Sequence, residues 1–167
     1  MTKLAFEHLA RLYFRHYGVP TVALRYFTVY GPRQRPDMAI HKFARLISAG
    51  KEIQMYGDGS TKRDYTFISD IIQGICGAVK AVERRKGFSV YNLGESHTVK
   101  LSYLIKLLEN NIGRKARIKK LPEQPGDVKL TYANIDNARR ELDYNPRVPI
   151  ETGIEEFSKW FRRINRI

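Results

Sequence analysis

Cysteine is almost missing from this sequence. Cys76 stands alone among 167 residues, which excludes an internal disulfide framework and suits a reducing compartment. Long apolar runs are missing as well. None approaches the roughly 20 residues a membrane helix needs, and the first residues carry no secretory pattern, so a cytoplasmic protein with no membrane contact is expected. Common catalytic signatures are equally scarce: there is no G-x-S-x-G elbow, no P-loop and no G-x-G-x-x-G turn. The histidines His8, His16, His41 and His97 have no Cys or acidic neighbours at ligand spacing, so no metal site is expected. His41 and Cys76 are expected to be structural, Cys76 in the core. Acidic side chains are also in short supply, 17 against 30 Lys and Arg, for a net charge of +13. That excess recurs along the chain, in Arg33/Arg35, Lys62/Arg63, Arg84/Arg85/Lys86, residues 114–120 and Arg162/Arg163. Charge spread in this way argues against a nucleic-acid partner. It leaves a site for a phosphorylated metabolite, or a solvated basic exterior.

What is present describes a folded α/β domain with a hydrophobic fraction of 43% and no repeat, low-complexity tract or linker. Residues 2–17 place Leu4, Ala5, Leu9, Leu12 and Tyr13 near one helical face. Phe6, Phe14 and Tyr17 lie off it, so this helix is apolar on two sides, as in a sandwiched element or a subunit interface. Gly18 and Pro20 end it. Residues 21–27 are too apolar to alternate, which predicts a strand covered on both faces and broken at Thr28-Val-Tyr-Gly-Pro32. Helices are predicted over 39–49, 67–84, 101–112, 135–142 and 151–163, and strands over 52–56, 88–93 and 116–121. The residues between 24 and 70 organise the rest. Their strands release into Gly- and Pro-bearing loops rich in cations, which is how open α/β sheets build ligand sites. Arg25, Arg33, Arg35 and Arg63 are expected to converge there on one anionic ligand.

These segments, in order, resemble the C-terminal half of the NAD-dependent sugar-nucleotide epimerases/dehydratases, the extended short-chain dehydrogenase/reductase family. The likeness rests on Arg25-Tyr-Phe-Thr-Val-Tyr-Gly-Pro32, Arg35-Pro-Asp-Met-Ala39, Gly57-Asp-Gly59, Arg63-Asp-Tyr-Thr-Phe67 and Asp70. It continues in Asn92-Leu-Gly94, Gln124-Pro-Gly-Asp127, Thr131-Tyr-Ala-Asn134 and Tyr144-Asn-Pro146. Thr28, where many members carry Asn, and the run from Arg35 to Met38 look most like the UDP-glucuronate 4-epimerase branch, with UDP-glucose 4-epimerases close by. The fold so implied is the end of a Rossmann-like sheet plus a small α/β lobe, a C-terminal substrate-binding portion over residues 1–167.

The resemblance also implies roles. Lys3 matches the lysine of the family's Tyr-x-x-x-Lys pair, serving catalysis and the cofactor ribose. The tyrosine would fall two residues before Met1, and the family's Gly-rich NAD fold would precede it in a longer frame or a separate N-terminal half. Tyr26 would lie toward the nicotinamide. Arg63 would pair with the diphosphate of a UDP-sugar, Asp127 would accept from ribose or uracil, and Thr28 and Arg35 would face the sugar. Gln124 stands where many members have Arg. The first helix would join an intersubunit bundle, making a homo-oligomer. The implied activity is NAD-dependent 4-epimerisation, with the chain inactive alone. A sugar-nucleotide 4,6-dehydratase half and a basic nucleic-acid-binding or regulatory module are the alternatives.

Overall fold

The computed structural model describes residues 2–84 and 87–166, so Met1, Arg85, Lys86 and Ile167 lie outside the described residues. The chain opens with α1 (Thr2–Tyr17), β1 (Thr21–Tyr26), β2 (Thr28–Tyr30), α2 (Ala39–Ser48) and β3 (Glu52–Tyr56). There follow β4 (Lys62–Phe67), α3 (Ile68–Arg84), β5 (Phe88–Leu93), β6 (Thr98–Lys100) and α4 (Leu101–Ile112). β7 (Arg117–Leu121), α5 (Asp136–Leu142) and α6 (Ile150–Asn165) complete it. The architecture is α/β with mostly parallel pairing. β1 runs parallel to β5, β2 to β4 and β3 to β7, while β6 lies antiparallel on the far edge of β4.

Two apolar cores hold these elements. One joins α2, α4 and α6 to β3 and Tyr65, around Ile40, Ile47, Ile53, Leu104, Leu108, Ile154 and Phe157. The other joins α3 and α5 to β5, around Ile71, Leu93, Ala133, Ile135 and Tyr144. His41 is structural, as expected: its Nδ1 lies 2.7 Å from the Gln34 carbonyl, and its ring meets Phe157, Trp160 and Phe161 edge-on. Helix α4 ends at Gly113, whose φ of 79° is left-handed and open to glycine without strain.

Several expectations are corrected. β1 has no fully buried residue, so neither of its faces is closed over as expected, and among the described residues it pairs with β5 alone. Of the two places expected for α1, the sandwiched one is set aside: α1 buries none of its residues, and Phe6 and Tyr17 are 75% and 74% exposed, as an association surface would leave them. Cys76 is exposed rather than core, on a face of α3 that also exposes Ile72 and Val79. The break after β1 is a single residue, Phe27, and the chain re-enters a sheet as β2.

Candidate functional site

β4 is the element that builds the site. Its side chains alternate across the strand, so Arg63 and Asp64 point to opposite sides. Asp64 is fully buried. It accepts from the backbone N–H groups of Glu95 (2.8 Å), Ser96 (3.0 Å) and Ala133 (3.1 Å), and from the Thr66 hydroxyl (3.3 Å). A carboxylate inside a protein is tolerated only when so saturated. This one ties β4 to the loop after β5 and to the segment before α5. Gly94 belongs to the same knot, because a Cβ there would meet Ala133 Cβ at 2.3 Å.

Arg63 faces the other way. Its Nη2 donates to Asp127 and its Nη1 to the Lys62 carbonyl. Asp127 is placed by backbone bonds that lay residues 127–131 along β4: Lys62 N–H to the Lys129 carbonyl (2.9 Å) and Thr131 N–H to the Lys62 carbonyl (3.1 Å). The Asp64 N–H adds a bond to the Thr131 hydroxyl at 3.1 Å. The cavity beneath, lined by Tyr56, Thr61, Glu123, Gln124, Asp127 and Lys129, measures only about 20 Å³. That is room for about one water and far too little for a nucleotide. A nucleotide entering here must lift the 122–127 loop and part Asp127 from Arg63.

The other predicted residues are distributed differently. Lys3 and Tyr26 do come together, lining a groove of about 640 Å³ between α1 and β1 with Phe6 and Ala10. Arg25 crosses this groove, giving Nε and Nη2 to the Glu7 carboxylate at 2.8 and 2.7 Å. That contact holds Glu7 below the usual carboxylate range. Arg35 is exposed and closes on Asp37 at 2.6 Å. Thr28 opens β2 opposite Tyr65 and is half-buried. In the resting structure the arginines expected to converge are held apart in their own ion pairs. Arg25 pairs with Glu7, Arg35 with Asp37 and Arg63 with Asp127, while Arg33 stands exposed at a positive φ of 66°. Like charges repel, and each paired guanidinium finds its own carboxylate. The reading of the sequence overlooked Glu7 and Asp64. An aspartate inside the strand run Lys62–Phe67, where that residue type is disfavoured, was the available signal for the second.

The family model described as "NAD dependent epimerase/dehydratase family" matches residues 1–94. The chain belongs to that family. It is 44% identical over 160 residues to an uncharacterised protein of Methanocaldococcus jannaschii, covering 96% of this chain and 48% of that one. It is 41% identical over 174 residues to UDP-glucuronate 4-epimerase 5 of Arabidopsis thaliana, covering 96% of this chain and 40% of that one. The crystal structure of UDP-glucuronic acid 4-epimerase from Bacillus cereus, in complex with UDP-glucuronic acid and NAD, superimposes with a TM-score of 0.89 at 36% identity. That match covers 98% of this chain and 52% of the other. The chain thus spans about half the length of the relatives it matches. Among the described residues no helix is long and apolar enough to cross a membrane, and no His, Cys, Asp and Glu group could hold a metal.

Proposed function

We propose that residues 1–167 are the C-terminal, UDP-sugar-binding portion of a cytoplasmic NAD-dependent nucleotide-sugar 4-epimerase, of the UDP-glucuronate or UDP-glucose type. The observation that carries this reading is the unbroken likeness to a UDP-glucuronic acid 4-epimerase over 98% of the chain. The geometry adds to it. Arg63 is a planar, permanently charged fork suited to two diphosphate oxygens, and its single carboxylate partner can be exchanged. Asp127, released from Arg63, would accept from ribose or uracil. Arg35 would meet a sugar carboxylate and Thr28 a sugar hydroxyl.

The residues present fit one end of the cofactor. The groove beside α1 has room, Tyr26 is half-exposed, and no carboxylate pairs with Lys3 among the described residues. Lys3 would hold the ribose and favour the ionised form of a neighbouring phenol by placing a cation beside it. The glycine-rich turn that cradles a dinucleotide's phosphates is not in this sequence. NAD, when bound, supplies a reversible hydride acceptor; the rest of the task is to hold UDP while the oxidised sugar turns.

A direct test is turnover. Incubated with NAD and UDP-glucuronate, the 167-residue chain alone should make no UDP-galacturonate, because binding energy in this portion cannot replace a cofactor positioned against the sugar. Addition of a polypeptide carrying the NAD-binding portion of a relative should restore product. Product from the chain alone, above a no-protein control, overturns the reading of it as a partial enzyme.

The same reading makes α1 an association surface. Leu4, Phe6, Leu9, Leu12, Tyr13 and Tyr17 are all exposed on a single helix, and clustered exposed apolar side chains mark association sites. Light scattering of the purified chain should show self-association that Phe6→Glu weakens. A monodisperse monomer at high concentration would remove this element of the proposal.

A further inference from the structure

A second cleft, of about 660 Å³, opens beside the first core, between β6, the start of α4 and the approach to α6, with Val99 and Ile150 in its wall. Glu95 comes to it from the loop after β5, His97 and Lys100 from around β6, Tyr103 from α4, and Arg147 and Glu151 from the approach to α6. Its size falls in the range of small-molecule sites, about 300–1,000 Å³. None of these residues contributes to the Arg63–Asp127 pair or to the groove beside α1.

The charges here are arranged as separate donors and acceptors rather than as finished ion pairs. Among the described residues neither Lys100 nor Arg147 has a carboxylate partner. Arg147 is nevertheless oriented. With the Asn145 amide turned to satisfy both groups, its oxygen accepts from Arg147 Nε at 3.1 Å and Nη2 at 3.0 Å, which leaves Nη1 for a ligand. Glu151 accepts from the Tyr103 hydroxyl at 2.6 Å, and that bond keeps its carboxyl below the usual range, an ionised acceptor. At the inner wall, Glu95 Oε2 is buried with no hydrogen-bond partner, an uncommon and costly state for a carboxyl oxygen.

We propose that this cleft binds a small hydroxylated anion, a sugar acid or a sugar phosphate, with its anionic group on Arg147 and Lys100 and its hydroxyls donating to Glu95 and Glu151. A simple anion would leave Glu95 Oε2 without a donor and Glu151 with the Tyr103 hydroxyl alone, and a cation would meet Lys100 and Arg147. Only a ligand carrying negative charge and hydroxyl donors together satisfies both sets.

Glu95 gives the binding a signature. Its carboxyl is pushed up to about 7, by burial first and then by the carboxylates of Asp70 on α3 and Asp64 on β4, with Arg139 on α5 opposing them. The phenols of Tyr30 on β2 and Tyr144 face the same group. A hydroxyl donating to Glu95 favours its ionised form, so binding near neutral pH should release part of a proton.

Calorimetric titration of the whole chain with D-glucuronate, glucose 1-phosphate, inorganic phosphate and uncharged glucose tests this. At least one of the two sugar anions should bind saturably, about tenfold or more tighter than glucose or phosphate, and the tighter of the two identifies the anionic group preferred. Repeating the titration in buffers of different ionisation enthalpy should show proton release that Glu95→Gln abolishes. Arg147→Ala, at an exposed position that should not disturb folding, should weaken the sugar anion by about ten- to hundredfold. Arg63→Ala should leave it unchanged. The proposal is overturned if neither sugar anion binds, if Arg147→Ala binds as tightly as the parent, or if Arg63→Ala abolishes binding, which would place the ligand at the nucleotide position.

Discussion

Asp64→Ala lowers the free energy of unfolding by about 3–6 kcal/mol, enough to leave little folded protein at physiological temperature. The substitution removes the acceptor of the Glu95, Ser96 and Ala133 N–H groups and of the Thr66 hydroxyl, the last two in buried bonds. Each stranded donor costs about 1–3 kcal/mol in a buried setting, and relaxation recovers part of the sum. Asp64→Asn should cost less, about 1–3 kcal/mol. Its oxygen can keep the Ser96 and Ala133 donors while its amide nitrogen faces the Thr66 hydroxyl, which can turn to accept, and the Glu95 N–H, a donor-to-donor contact. Thr66→Val removes only the longest of the four bonds and should cost about 1 kcal/mol or less. Urea unfolding followed by circular dichroism ranks the three. Asp64→Ala within about 1 kcal/mol of the parent would show that the knot joining β4, the β5 loop and the α5 approach is not what holds these segments.

That knot also explains where the sequence was hard to read. Helices α1, α2, α4 and α6 were legible because their apolar residues keep helical period, and Gly113 marks the end of α4. β4 was not. Lys62, Arg63 and Asp64 are poor strand formers by composition, and the strand exists because β2 and β6 pair on its two edges while Asp64 collects donors from distant segments. β6, with only Thr98, Val99 and Lys100, is too short to show a period. Burial was misjudged where neighbours decide it. Leu24 and Val22 read as a covered strand and Cys76 as core, but what covers a strand or a helix face is a property of the packing, not of the run of residues itself. The candidate site divided in the same way. Arg63 and Asp127 lie 64 residues apart and meet; Lys3 and Tyr26 share a groove. The clustering expected for Arg25 and Arg35 is not seen in the resting structure, where Glu7 and Asp37 claim them.

Arg63→Ala weakens UDP binding by about one to two decades, the second large effect expected. A charge-assisted contact contributes about 1.5–3 kcal/mol, and the fork of Arg63 is the group best placed to supply it. Arg63→Lys should recover only part, since a point charge cannot match two oxygens at once. UMP, lacking the second phosphate, should bind less well than UDP and lose less on the same substitution. The resting pair with Asp127 sets the opposing term. Arg63 and Asp127 are 22% and 47% exposed at their side chains, and a pair so open to water is worth about 0–1 kcal/mol. A diphosphate bound there would therefore win the exchange, but by less than it would against a free guanidinium. Asp127→Asn removes the competing charge and keeps a carbonyl oxygen for ribose or uracil, so UDP should bind a few-fold tighter to it. Arg35→Ala should leave UDP unchanged and weaken only UDP-glucuronate, because its guanidinium is committed to a surface pair until a sugar carboxylate displaces Asp37. Titration calorimetry of the four variants with UDP, UMP and UDP-glucuronate separates these terms. UDP affinity unchanged in Arg63→Ala would put the diphosphate elsewhere in the fold, whereas a loss of affinity in Asp127→Asn would mean that its full charge, not merely its oxygen, is needed by the bound nucleotide.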